Sequence, residues 1–322
     1  MSSKKESFRI LSLDGGGTRG LLSAQILTNI EDYLNNKEGE RVPLGQRFDF
    51  IVGTSTGGLI ALGLAAGKRA SQIRDLYLEI IPKVFSTTNR DIRYFLGIGP
   101  KYKTGPLKEA LTQFFEEKTL ENVSTDVCIT SIALSNAKPR LYKSDYLARN
   151  RERFDEKLAD IALATSAAPT YFLAHSLKHS SNLIDGGICA NNPALIGLVD
   201  TFNFERPSKR GTEPKKEFSD ISRKNTVLLS IGTGDQGEMP YRYSWLKYGS
   251  ILYWGKNFHE VSIASQSQLI HFQAKFLLGD NYLRINPPLK FSMKLDDAKQ
   301  AKELLNYADI THEIEDFLKS RF

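Results

Sequence analysis

The sequence predicts an α/β fold in which helices cover both faces of a mainly parallel sheet. Two observations carry this expectation. Short apolar runs at 8–13, 48–52 and 227–231 each lead into a glycine-rich turn. Stretches with helical apolar periodicity alternate with them. Strands that are apolar throughout, rather than alternating, suit a sheet buried on both sides, as parallel sheets are. A chain of 322 residues, 41% hydrophobic and 25% charged, can bury a sizeable core of this kind.

Taken in order, FRILSL at 8–13 reads as a buried strand bounded by Gly15, Gly16 and Gly17. Leu22, Ile26 and Ile30 then repeat every four residues, with Tyr33 and Leu34 closing the stripe, so a helix follows. After a polar loop at 35–41, FDFIV at 48–52 is a second strand that runs straight into Gly53-Thr54-Ser55-Thr56-Gly57-Gly58. The helix expected over 59–66 is apolar at nearly every position, and Gly67 suits its C-terminal end. Ser71 can cap the next helix, which is expected to stop at Ile81, before Pro82. Residues 86–104 look irregular, and Pro106 then opens an amphipathic helix carrying Leu107, Leu111 and Phe115. Strands at 127–133 and 140–143 flank a turn, and a helix spans 158–165. Leu183-Ile184 is a strand ending in Asp185-Gly186-Gly187, and Pro193 opens another helix. The strand at 227–231 ends in Gly232-Thr233-Gly234, and the remainder is mostly helical apart from an extended stretch at 282–285.

Composition narrows the function classes. Cys128 and Cys189 lie far apart without a metal-ligand pattern, so a reduced, cytosolic setting is expected and no metal site. No apolar run approaches the roughly 20 residues needed to span a bilayer, and no secretory signal is expected from the charged first six residues. The net charge of +6 favours anionic partners, phospholipid headgroups or nucleotides among them. The basic run from Lys209 to Lys224 is interleaved with polar residues and reads as a solvated surface loop.

Two glycine clusters carry the chemistry. Gly53-x-Ser55-x-Gly57 sits directly between a strand and a helix, the setting of a nucleophile elbow. The alternative is a helix start that Ser55 merely caps. Gly15-Gly16-Gly17 also follows a strand, and successive glycines leave backbone N–H groups to face an anion or an oxyanion, with Arg19 adding positive charge. The same loop matches the spacing of a dinucleotide fingerprint, which would make the chain a nucleotide-binding module. The expected second strand with its terminal acid is missing, because the next strand leads to Ser55. A serine needs a base, and none of His175, His179, His259, His271 and His312 stands in a glycine-flanked strand exit. Asp185 does. From its residues alone it is either that base, with a pKa raised by an apolar surrounding, or an ordinary turn aspartate.

Residues 14–20 (DGGGTRG), 53–58 (GTSTGG), 164–172 (ATSAAPTYF) and 185–187 (DGG) occur in the order found in patatin-like phospholipases, which the chain resembles over residues 14–187. Residues 230–234 (SIGTG) and Asn191-Asn192-Pro193 add to the likeness, whereas 235–322 matches only loosely. The resemblance implies a single three-layer αβα domain over 1–322, with a motif-bearing core at about 7–234 and a helical part at about 241–322. It implies Ser55 as nucleophile, Asp185 as base without a histidine, and the region of Gly15, Gly16 and Gly17 as oxyanion hole, with Arg19 holding the loop or the substrate. Gly53 and Gly57 shape the elbow. The expected activity is hydrolysis of fatty acyl esters of membrane phospholipids through an acyl-enzyme, with no cofactor and no nucleic-acid polymer as partner. The chain is also similar to bacterial patatin-type effectors switched on by cyclic nucleotides in antiphage defence. That likeness adds a cyclic nucleotide activator and a homo-oligomer to the expected partners, and places the protein in the cytoplasm against the inner face of the membrane.

A lipid hydrolase must also meet its substrate. Residues 94–98 (YFLGI), framed by Arg90, Arg93, Lys101 and Lys103, are expected to form a membrane-touching flap over the Ser55 crevice. The aromatic run at 241–254 is a second candidate, for which core packing is the expectation.

Overall fold

The structure is a computed structural model that describes residues 7–95, 97–144, 155–202, 225–237, 249 and 251–322. The basic run expected at 209–224 and most of the aromatic run at 241–254 lie outside the described residues.

Among the described residues seven strands form one sheet: β1 (Phe8–Leu13), β2 (Phe50–Thr54), β3 (Asp126–Ala133), β4 (Lys138–Lys143), β5 (Leu183–Asp185), β6 (Thr226–Ile231) and β7 (Tyr282–Ile285). Their order is β4-β3-β2-β1-β6-β7, and β5 pairs with the far end of β3. The five strands β3, β2, β1, β6 and β7 run parallel; β4 and β5 are antiparallel to β3. Register sets Leu13 beside Gly53 and Ile231, so the exits of β1, β2 and β6 open on the same edge. Ser131 pairs with Asp185, and β5 therefore delivers Asp185 beside the exit of β2 from the opposite direction.

The helices are α1 (Gly20–Glu38), α2 (Thr56–Ala65), α3 (Ala70–Val84), α4 (Ile92–Phe95), α5 (Gly105–Phe115), α6 (Leu158–Thr165), α7 (Gly187–Ala190), α8 (Ala194–Phe202), α9 (Ile251–Leu278) and α10 (His312–Arg321). Successive strand residues point to opposite faces. Leu11, Leu13 and Ile51 join the core under α1, α2, α3 and α6, while Phe8, Ile10, Phe50 and Val52 pack on Ala194 and Leu198 of α8 and Ala274 and Leu278 of α9. Each such fully buried side chain contributes on the order of 1.5–3 kcal/mol against exposure. This is the three-layer αβα arrangement the sequence led us to expect.

Two boundaries differ from expectation. The helix α3 runs through Pro82 to Val84 and starts behind Arg69, not at Ser71. Pro82 cannot donate to the Leu78 carbonyl, so the helix gives up that bond, yet it continues for two more residues and Phe85 N–H closes it on the Ile81 carbonyl at 3.0 Å. The helix α1 extends to Glu38 across the expected loop, and Gly39 ends it at φ 70°.

Candidate active site

The exit of β2 turns sharply into α2 at Ser55, whose backbone adopts φ 54° and ψ −125°, a region that non-glycine residues rarely enter. The turn closes only because its neighbours lack side chains. A Cβ on Gly53 would lie 2.4 Å from the Gly57 carbonyl oxygen, and one on Gly57 would lie 2.3 Å from that of Leu13. Ser55 N–H donates to Thr165 Oγ1 at 2.8 Å, which ties the elbow to the end of α6. Its hydroxyl donates to Asp185 Oδ2 at 2.5 Å.

Asp185 ends β5 and is buried. Its own N–H donates to the Ala167 carbonyl at 3.0 Å, and its Oδ1 accepts from Gly187 N–H at 2.7 Å. Burial pushes its carboxyl up to about 6, against the opposing pull of the bonds from Ser55 and Gly187. Neither His175 nor His179 approaches Ser55: His175 Nε2 meets Asp160 at 3.0 Å and His179 Nε2 meets Asp155 at 3.1 Å. His259 reaches the cavity wall from α9, and burial lowers its pKa, yet the Ser55 hydroxyl is committed to Asp185.

The glycine loop lies directly against this pair. A Cβ on Gly15 would come within 3.2 Å of Ser55 Cβ and 2.5 Å of Asn191 Oδ1. The three candidate donors differ in their bonding. Gly15 N–H already donates to the Asn191 carbonyl at 3.0 Å, which withdraws it from an oxyanion. The N–H groups of Gly16 and Gly17 make no such bond among the described residues. Gly16 has no room for a side chain, since a Cβ would meet Thr233 Oγ1 at 2.3 Å. Arg19 Nε donates to the Gly16 carbonyl at 3.5 Å, a long contact. Burial pulls the Arg19 guanidinium down to about 10, while the charges of Glu260 and Asp14 oppose it.

Several residues of the site carried no sequence signal of their own. Arg284 on β7 donates from Nη2 to Asp14 Oδ2 at 2.6 Å and from Nη1 to Ser230 Oγ at 2.8 Å, anchoring the start of the glycine loop. Burial works against its charge, and the Asp14 carboxylate outweighs that burial and raises its pKa. Asn191 and Thr233 had been noted only as parts of family-like runs. Thr165 likewise lies in the family-like run at 164–172, and Leu295 becomes recognisable only once the chain is folded.

Ser55 and Asp185 open into a cavity of about 250 Å³. One side of its wall is apolar, formed by Leu59, Ile80, Val84, Phe85, Leu107 and Phe172. Such an apolar stretch suits a hydrocarbon chain, while Ser55, Asp185, Gln236, His259, Glu260 and Arg284 make other parts of the wall polar.

The family description "Patatin-like phospholipase" matches residues 11–198. The "cGAMP-activated phospholipase" of Vibrio cholerae is 32% identical, over 98% of this chain and 93% of that protein. The protein of the same name from Escherichia coli is 37% identical over 71% of this chain, and the match spans 63% of that protein's length. The crystal structure of VipD from Legionella pneumophila aligns with 98% of this chain and 67% of its own, at 11% identity and a TM-score of 0.49. The family match covers more than half of the chain and includes the Ser55 elbow, the glycine loop and Asp185. The chain belongs to the patatin-like phospholipase family.

Proposed function

We propose that the chain is a serine lipid acyl hydrolase, of the phospholipase A or lysophospholipase type, that works through a Ser55–Asp185 dyad. The observation that carries this reading is the 2.5 Å contact between the Ser55 hydroxyl and a buried carboxylate, in a cavity with one apolar side. As Ser55 Oγ attacks the ester carbonyl carbon, Asp185 Oδ2 takes the hydroxyl proton. The carbonyl oxygen becomes an oxyanion, and the Gly16 and Gly17 N–H groups receive it. Collapse breaks the ester C–O bond, and the leaving lipid alcohol takes the proton from Asp185. Water then attacks the acyl-enzyme by the same route, releasing the fatty acid and restoring the Ser55 hydroxyl. A free carboxylate is a weak base; burial that raises its pKa to about 6 strengthens it while leaving it ionised at neutral pH.

The reading includes a peripheral place on the cytoplasmic face of the membrane. No helix among the described residues is long and apolar enough to cross a bilayer. An exposed apolar segment precedes Lys101 and Tyr102: Ile92, Phe95 and Ile98 stand 75%, 67% and 74% exposed, beside Arg93 and Lys103. Leu96, within the expected flap, lies outside the described residues. The segment is tied to the cavity wall, for Lys101 and Tyr102 N–H groups donate to the Thr170 and Tyr171 carbonyls at 2.8 and 2.9 Å. Trp254 and Phe258 of α9 are also exposed, on the helix that carries His259 to the cavity wall; for Trp254 this departs from the expected core packing.

The bacterial relatives' names support a cyclic nucleotide as activator; the antiphage role and the homo-oligomer belong to the reading only as what the resemblance implies. The test is fatty-acid release from phospholipid vesicles, with and without a panel of cyclic dinucleotides. Release that disappears in Ser55→Ala supports the reading. No release under any condition, or unchanged release by Ser55→Ala, contradicts it.

A further inference from the structure

The loop bearing Gly16 and Gly17 is braced by a segment far away in the chain. Thr18 N–H donates to the Leu295 carbonyl at 2.8 Å. Gly17, at φ 59°, packs so closely on it that a Cβ would fall 2.2 Å from the same carbonyl oxygen. Leu295 therefore sets how far the loop leans towards Ser55. The next residue, Asp296, is buried, and two partners hold its carboxylate: Tyr102 OH donates to Oδ2 at 2.7 Å, and Lys101 Nζ pairs with the same oxygen. The backbone N–H groups of those same two residues donate to the Thr170 and Tyr171 carbonyls. The Tyr102 ring packs edge-on against Phe85 at 5.4 Å and beside Phe172 at 6.2 Å, both of them on the cavity wall. One carboxylate thus joins the rim, the acyl-binding wall and the support of the glycine loop. Without the Asp296 carboxylate, Lys101 Nζ and Tyr102 OH lose the acceptor they share, so the junction depends on that one group.

We propose that Asp296 is a positioning residue for the oxyanion loop: clasped by Lys101 and Tyr102, it fixes the Leu295 carbonyl under Thr18 and thereby aims the Gly16 and Gly17 N–H groups. The proposal rests on the reading of those two groups as the oxyanion donors. Nothing about Asp296 touches the reacting atoms; it acts through the peptide it anchors. A misplacement of about 1 Å in such a group can cost on the order of 100-fold in rate.

The test uses the full chain with Asp296→Asn, Tyr102→Phe and Gly16→Ala. For each, fluorophosphonate titration gives the active fraction, and a short soluble ester gives kcat and KM per active site. Inhibition by a trifluoromethyl ketone, whose Ser55 adduct carries an oxyanion, reports on the hole itself. Asp296→Asn is expected to lower kcat about 10- to 100-fold, raise the ketone's inhibition constant by a similar factor, and leave KM within about twofold. Tyr102→Phe, which keeps the ring packing, should move both in the same direction by less. A merely structural role would reduce the active fraction while leaving kcat per site and ketone affinity unchanged, and that result overturns the proposal. Gly16→Ala separates the two levels. If it weakens ketone binding and Asp296→Asn does not, only the role of Asp296 falls. If Gly16→Ala itself leaves ketone binding unmoved, the oxyanion reading fails and the proposal falls with it. Should Asp296→Asn fail to fold, unchanged ketone affinity in Tyr102→Phe overturns the proposal.

Discussion

The elbow at Ser55 and the glycine loop at Gly15–Gly17 leave neighbouring strands of the same sheet, yet they are held in different ways. The elbow is shaped mainly by its own segment. Gly53 and Gly57 give it room, and the strained backbone of Ser55 is pinned between β2 and the first turn of α2. The loop borrows nearly all its support from afar: Asn191 takes the Gly15 N–H, Thr233 packs on Gly16, Leu295 takes the Thr18 N–H, and Arg284 grips Asp14. A nucleophile fixed locally and an oxyanion loop fixed remotely should respond to different mutations. Distant changes should reach the transition state through the loop before they reach the serine.

The largest expected effect tests the elbow and its base. Ser55→Ala and Asp185→Ala should each remove ester hydrolysis by several orders of magnitude while circular dichroism shows an unchanged fold, because a dyad acts as a unit. Near-normal turnover by a folded Asp185→Ala protein would break the comparison at its base and turn attention to His259. Next comes the loop. Gly16→Ala collides with Thr233, so steady-state kinetics should show kcat down about 100- to 1000-fold with KM little changed. An effect confined to KM would show that the loop binds substrate and does not stabilise the transition state.

How much of this was legible before the fold was known follows the same division. The elbow was readable because its requirements are local: a strand, a serine between glycines, and an apolar helix occupy adjacent positions. The glycine loop was found for the same reason, but the loss of Gly15 N–H to Asn191 was not, since that partner is 176 positions away in sequence and meets the loop only through α7. Arg284 and Leu295 lie in the part of the chain that matched the family loosely. Nothing in the composition around an isolated arginine on an edge strand says which buried carboxylate it will meet. Pro82 misled the reading of α3 because a proline's cost depends on its place in the helix, which local sequence does not fix.

Smaller effects sharpen the contrast between the site and its rim. Phe95→Ser with Ile98→Ser should lower activity on anionic vesicles about tenfold or more while leaving a short soluble ester unaffected, since each exposed side chain contributes apolar burial only when a bilayer is present. Equal loss on both substrates would assign these residues to the core. No loss on either would remove the flap.

The smallest effect is on stability. The folded-state pKa of Asp185 is raised from 3.8 to about 6, so the fold favours its protonated form. That preference is fully present below pH 3.8 and is lost as pH rises through 6, leaving a buried charge that destabilises the native state. A shift of about 2 units corresponds to roughly 3 kcal/mol at most. Thermal unfolding should therefore show Asp185→Asn gaining on the wild type between pH 4 and pH 7, with a difference in midpoint that levels off above. A flat difference across that range would show that burial does not tune this carboxylate.

The central claim is that Ser55 is activated by Asp185 alone, and the rate of covalent labelling by a soluble fluorophosphonate tests it most directly. Mapped by peptide mass, the label should fall on Ser55, and its second-order rate should rise with pH through about 6 as Asp185 ionises. It should drop by several orders of magnitude in folded Asp185→Asn and stay close to wild type in His259→Ala. Wild-type labelling of Ser55 in Asp185→Asn, with loss in His259→Ala, would contradict the account.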